Sequence, residues 1–162
     1  MQKYIRKKRF INRENLNYRE VRYDEIDKVT HIIKSGYHKD WGREFFSKMI
    51  DNENYILNII KLNNKIIGFV AMQIAIDECD IIMIIIDKKY RGNGYSNYLI
   101  EETLRFLMVF GIKKIFLDVA KNNYPAIHLY EKFGFEKTNE RPAYYKYNNI
   151  EIDALSYRLV NN

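Results

Sequence analysis

The chain has 162 residues, 47% apolar and 15% aromatic, with a formal charge of +6 and one cysteine, Cys79. That length suits one domain with a sizeable core, and the apolar content excludes a disordered chain. A lone cysteine excludes an intrachain disulfide and a cysteine-built metal site, which fits a reducing cytoplasm.

Residues 1–17 are polar and basic, with weak alternation at Tyr4-Ile5 and Phe10-Ile11, and read as a tail or an added edge strand. The opening MQKYIRKKRF has no apolar stretch after its charges, so it is not a secretory signal. Tyr18 to Arg22 reads as a short strand. Asp24 looks like a helix cap, and Ile26, Val29, Ile32 and Ile33 form a helical stripe ending near Gly36. A second helix carries Trp41, Phe45, Phe46, Met49 and Ile50. Tyr55 to Leu62 and Lys65 to Ile76 predict a hairpin about Asn63-Asn64, with Gly68 marking a bulge or a close approach.

Ile81 to Ile86 is a six-residue apolar run between Asp80 and Asp87, the pattern of a buried strand. After it come Arg91-Gly92-Asn93-Gly94-Tyr95-Ser96 and a helix that stops at Gly111. Strand, glycine-rich turn and helix start together make an anion cradle, because glycine admits close approach and the first helical N–H groups face the ligand. The same glycines also suit a plain tight bend. Lys114 to Val119 is another strand, Ala126 to Phe133 a short helix with Pro125 at its start, and Phe135–Tyr147 with Ile150–Leu159 a closing hairpin. The strand–helix–strand unit from Ile81 to Val119 requires a parallel pair in an otherwise antiparallel sheet. The expected fold class is therefore α/β (α+β): one domain over 18–162, with about seven strands and four helices in a mixed sheet.

No apolar run reaches the roughly 20 residues that a membrane helix needs. The basic balance suits an anionic ligand. Except at Arg6-Lys7-Lys8-Arg9 the basic residues are dispersed, so nucleic acid ranks last among partners.

The turn is neither a P-loop, lacking Gly-Lys-Ser/Thr, nor a dinucleotide fingerprint, lacking the third spaced glycine. Read as Arg91-x-x-Gly94-x-Ser96, it resembles the acetyl-CoA pyrophosphate loop of the GNAT superfamily of N-acetyltransferases, with Ser96 as a departure. Asn123-Tyr-Pro-Ala126-Ile-His-Leu-Tyr130-Glu-Lys-Phe-Gly134-Phe135 is similar to a second segment of the same family, in the right order. Tyr144-Tyr145 followed by Asp153-Ala154-Leu155 resembles the close of the RimI-type and eukaryotic N-terminal protein acetyltransferases.

A peptide α-amine has a pKa of about 8 and a lysine amine about 10.4, so either needs a proton acceptor at neutral pH. The departing thiolate needs a proton donor. Tyr130 is the candidate acid. Asp118 is the candidate base, at a position where the resemblance implies glutamate or histidine, with Glu78 and His128 as weaker rivals. The resemblance also implies that Ile84, Ile85 and Ile86 pair through their backbone with the pantetheine arm of acetyl-CoA. It further implies that Arg91, Gly92, Asn93, Gly94, Tyr95 and Ser96 hold the pyrophosphate, and that Asn123 contacts the arm. Tyr37, His38, Trp41, Tyr144 and Tyr145 are expected to line the acceptor groove. No metal site is expected, because His31, His38 and His128 lack ligand spacing.

The expected activity is direct acetyl transfer from acetyl-CoA to a primary amine through a ternary complex. The acceptor would be a protein N-terminal α-amine, a ribosomal protein among the candidates. The alternatives are a small amine (polyamine, aminoglycoside or amino acid) and a CoA-binding module without turnover. Monomer and homodimer both remain open.

Overall fold

Seven strands form one sheet in the order β1-β2-β3-β4-β5-β7-β6 in this computed structural model, which describes residues 13–34, 41–147 and 149–161. They are β1 (Leu16–Glu20), β2 (Tyr55–Leu62), β3 (Lys65–Ala75), β4 (Glu78–Ile86), β5 (Lys114–Ala120), β6 (Glu136–Tyr147) and β7 (Ile150–Val160). Among the described residues only β4 and β5 run parallel, and the other pairings are antiparallel. The parallel pair is joined by α3 (Tyr95–Val109), as a crossover demands.

Alternation along the strands gives the sheet two apolar faces. One packs α3 and α4 (Tyr124–Lys132) through Leu99, Ile100, Leu107 and Tyr130 onto Ile81, Ile115, Leu117 and Val119. The other packs α1 (Ile26–Lys34) and α2 (Arg43–Ile50) through Ile26, Val29, Ile33 and Phe46 onto Ile59, Phe69 and Ile85. None of the helices among the described residues is long and apolar enough to cross a membrane.

Three local expectations are corrected. The first strand runs Leu16–Glu20, starting and ending two residues early, because Leu16 and Asn17 already pair with Leu62 and Lys61 of β2; within it Tyr18 donates its hydroxyl to Thr103 of α3. Asp24 does not cap α1. It lies in a 3-10 turn, Tyr23–Glu25, and the buried Glu25 carboxylate accepts from the Arg22 amide. Strand β4 starts at Glu78 rather than Ile81: its first half is amphipathic, with Cys79 and Ile81 turned inward and Asp80 outward. Gly68 is a close approach as well as an irregularity, since a Cβ there would lie 2.6 Å from Ile86 Cδ1 and 2.8 Å from the Ile85 carbonyl oxygen.

Candidate active site

The site begins where the parallel ladder stops. β4 and β5 pair from Glu78↔Lys114 to Ile81↔Leu117 and no further, although β4 runs on to Ile86 and β5 to Ala120. The cause is a bulge. On the β3 side Met72 pairs with Ile81 and Ala71 with Met83, so Ile82 is skipped and the side-chain alternation resets. Ile81 packs towards α3, and both Ile82 and Met83 pack towards α1 and α2. A bulge bends its strand and re-aims the residues beyond it. Ile84 to Ile86 therefore present a strand edge that β5 does not pair, the place where an amide-bearing chain can add as a neighbouring strand.

At the end of that edge the chain turns through Asp87, whose Oδ1 accepts from the Lys89 amide. Arg91 folds back so that its Nε donates to the Ile86 carbonyl at 2.9 Å, fixing the loop to the strand. Asn93 donates to the Tyr90 and Arg91 carbonyls. Gly94 has φ 86°, a left-handed conformation that favours glycine, and stands at the start of α3 without a side chain to cap it. The amides of Tyr95 and Ser96 have no acceptor among the described residues, which leaves the first turn of α3 with N–H groups able to bind an anion. An open strand edge leading to an uncapped helix start fits an amide-containing arm followed by a diphosphate, the build of coenzyme A. Asn123 Oδ1 caps α4 by accepting from the Ala126 amide at 3.4 Å, and its amide nitrogen is not used in that bond.

Acid and base candidates stand on opposite faces of the split. Tyr130 is 8% exposed on the α3/α4 face, edge-on to Phe135 at 5.8 Å between centroids. Asp118 alternates to the other face. Its Oδ2 accepts from Arg141 Nη1 at 2.7 Å and its Oδ1 from Ser156 Oγ at 2.6 Å. Its backbone carbonyl accepts from the Tyr145 hydroxyl at 3.3 Å. Glu78 is paired with Lys114 at 2.7 Å, and His128 is exposed on α4. Cys79 is buried, and burial pushes its thiol up to about 12, so it is no carrier for an acetyl group.

Tyr144 and Tyr145 meet edge-on at 5.0 Å on β6, beside a register shift where Ala143 takes φ 51° and its amide donates to Asp153. The Arg141 guanidinium lies 4.0 Å from the Tyr144 ring centre. Trp41 packs edge-on against Phe45 at 4.1 Å, beside the α1/α2 core. Tyr37 and His38 lie outside the described residues. No cluster of metal-ligating side chains occurs among the described residues. Sequence reasoning missed two residues of this site, Arg141 and Asp80. The second read only as the boundary of an apolar run.

The sequence model of the Acetyltransferase (GNAT) family matches residues 26–135, which span the bulge, the loop, α3, β5 and α4. The chain belongs to that family. GNAT relatives include the ribosomal protein bS18-alanine N-acetyltransferase of Haemophilus influenzae, 32% identical over 75% of this chain and 77% of its own. The enzyme of the same name from Escherichia coli is 28% identical over 81% of this chain and 88% of its own. A crystal structure of the Escherichia coli ribosomal-protein-S18-alanine N-acetyltransferase superposes with a TM-score of 0.84 at 25% identity, covering 90% of this chain and 93% of that one. A spermidine N-acetyltransferase from Vibrio cholerae superposes at 0.81 with 20% identity over 90% and 94%, a likeness of fold alone. The protein is an acetyl-CoA-dependent N-acetyltransferase with the GNAT fold.

Proposed function

We propose that this GNAT enzyme acetylates the α-amine of a protein N-terminus inside the cell, a ribosomal protein among the candidates, and that the chain from Leu16 onward acts as one catalytic domain. The observation that carries the acceptor class is the Tyr144–Tyr145 pair, braced by Arg141 and Asp118 beside the split. Two ordered rings suit an extended peptide backbone. Relatives named as ribosomal protein bS18-alanine N-acetyltransferases, similar over most of their length, support the same choice.

A polyamine would want several free carboxylates. Of the three carboxylates that β4 and β5 carry, Glu78 is paired with Lys114 and Asp118 with Arg141, which leaves Asp80. One carboxylate suits one ammonium.

When bound, acetyl-CoA supplies the thioester that the amine attacks. Ile84–Ile86 align its arm, and Arg91–Ser96 hold its diphosphate, with Asn123 beside the arm. Tyr130, on the α3/α4 face, gives the departing sulfur a proton. The proton acceptor is a carboxylate on the opposite face. Asp118 is the one that the sequence singles out, and both of its oxygens already accept hydrogen bonds.

Mass spectrometry of acetyl transfer to a panel of peptides with varied first residues, alongside spermidine and a peptide with a blocked terminus, tests this. The expected result is acetylation at free α-amines with little on spermidine or lysine. Acetylation of spermidine and of no peptide would overturn the acceptor class.

A further inference from the structure

We infer that Asp80 is the carboxylate that takes the proton from the acceptor amine, and that Asp118 is a positioning residue for the groove. Asp80 stands on the rung before the last of the β4–β5 ladder, opposite Phe116. By alternation it lies on the same sheet face as Phe116 and Asp118, just ahead of the bulge at Ile82. Its carboxylate makes no hydrogen bond or ion pair among the described residues. Asp118, by contrast, holds Arg141 and Ser156 with its carboxylate and Tyr145 with its carbonyl, three contacts that fix the rim of the acceptor groove. A proton on its carboxyl would weaken the Arg141 ion pair and loosen that rim. Among the described residues Asp80 has no such pair to weaken.

Partial burial and the neighbouring Asp118 and Glu78 hold the Asp80 carboxyl above its ordinary value, closer to that of an efficient acceptor at neutral pH. The charges that act on it are those of Asp118 on β5 and Glu78 on its own strand, which are paired with Arg141 and Lys114 respectively; along its rung stand the neutral Gln73 of β3, Phe116 of β5 and, beyond Phe116, Arg158 of β7. In the step, one proton passes from the acceptor ammonium to Asp80 and frees the nitrogen lone pair. The N–C bond forms as the C–S bond breaks, the sulfur takes the Tyr130 proton, and the second amine proton leaves for solvent.

This inference rests on the reading that the protein acetylates an amine, and the experiment separates the two. Asp80→Asn, Asp80→Glu and Asp118→Asn are compared with the wild type in acetyl-CoA turnover, using an alanine-starting peptide, spermidine, and trifluoroethylamine, an amine already neutral at pH 7. Asp80→Asn is expected to lower kcat about 100-fold on the best protonated amine, and far less on trifluoroethylamine, because a lone pair that is already free needs no acceptor. Acetyl-CoA affinity stays within twofold of wild type, and Asp80→Glu restores part of the rate. Asp118→Asn raises the peptide KM with kcat within about fivefold. A kcat for Asp80→Asn within threefold of wild type, an equal loss on both amine types, or a larger kcat loss in Asp118→Asn would overturn the assignment while leaving the activity in place. A wild type that acetylates none of the three amines would overturn the activity and the assignment together.

Discussion

Arg141 and Asp118 are joined at 2.7 Å across two strands that are not neighbours in the sheet, with β7 between them. The guanidinium has a second contact, the face of Tyr144 at 4.0 Å. One cation thus ties the end of β5 to the aromatic pair on β6. Both contacts are exposed to solvent, and each is individually weak. Removing both in Arg141→Ala is expected to raise the peptide KM about 3- to 10-fold while kcat stays within threefold. Steady-state kinetics with the best peptide checks this.

Tyr130→Phe keeps the ring against Phe135 and deletes the hydroxyl. The expected effect is a fall in kcat of about 100-fold with acetyl-CoA affinity unchanged. Thermal unfolding should move by no more than about 1.5 kcal/mol, the scale of one hydrogen bond. A large stability loss with normal turnover per folded molecule would place Tyr130 in the core alone.

Gly94→Ala forces a side chain into φ 86° at the start of α3, which costs roughly 1–2 kcal/mol of strain. Relief of that strain would move the N–H groups that face the diphosphate. CoA affinity is expected to drop at least tenfold by calorimetry, with a stability loss confined to the strain itself.

Glu25 is 2% exposed and accepts two hydrogen bonds from Arg19, at 2.7 and 2.8 Å, and one from the Arg22 amide. The Arg19 guanidinium, more than any other group, draws its carboxyl down to about 2. The folded value lies below the unfolded one, about 4.3, so the stabilisation is complete above that pH and fades as pH falls towards 2. Glu25→Gln is expected to cost about 2 kcal/mol at pH 7, and the gap to wild type should narrow steadily below pH 4.5 in denaturant titrations.

What was legible in the sequence is what depends on neighbours along the chain. The isoleucine run, the Asn63-Asn64 turn, with φ 47° and 67°, and the stop of α3 at Gly111 are local signals, and each lies where periodicity and turn chemistry put it. The Tyr130 helix was legible too, through Asn123 at its cap and Pro125 in its first turn. The misses are non-local. Asp80 looked like the end of a strand because the first half of β4 alternates; only pairing with β3 and β5 shows that the ladder continues through it to the bulge. The Arg141–Asp118 bond spans 23 positions and depends on the β5-β7-β6 order, which no window of sequence contains. The limits of β1 are set by its pairing with β2, from Leu16↔Leu62 to Glu20↔Asn58, some 40 positions away in the chain.

The central claim is that the cofactor enters the sheet at the bulge-made split, with its diphosphate on the turn before α3. An NMR titration of the protein with CoA reads this residue by residue. The account predicts saturable shifts at the amides of Ile84–Ile86 and Gly92–Ser96, with Tyr130 responding at the mouth of the split. No binding, or shifts confined to surfaces away from β4 and the α3 start, would contradict it.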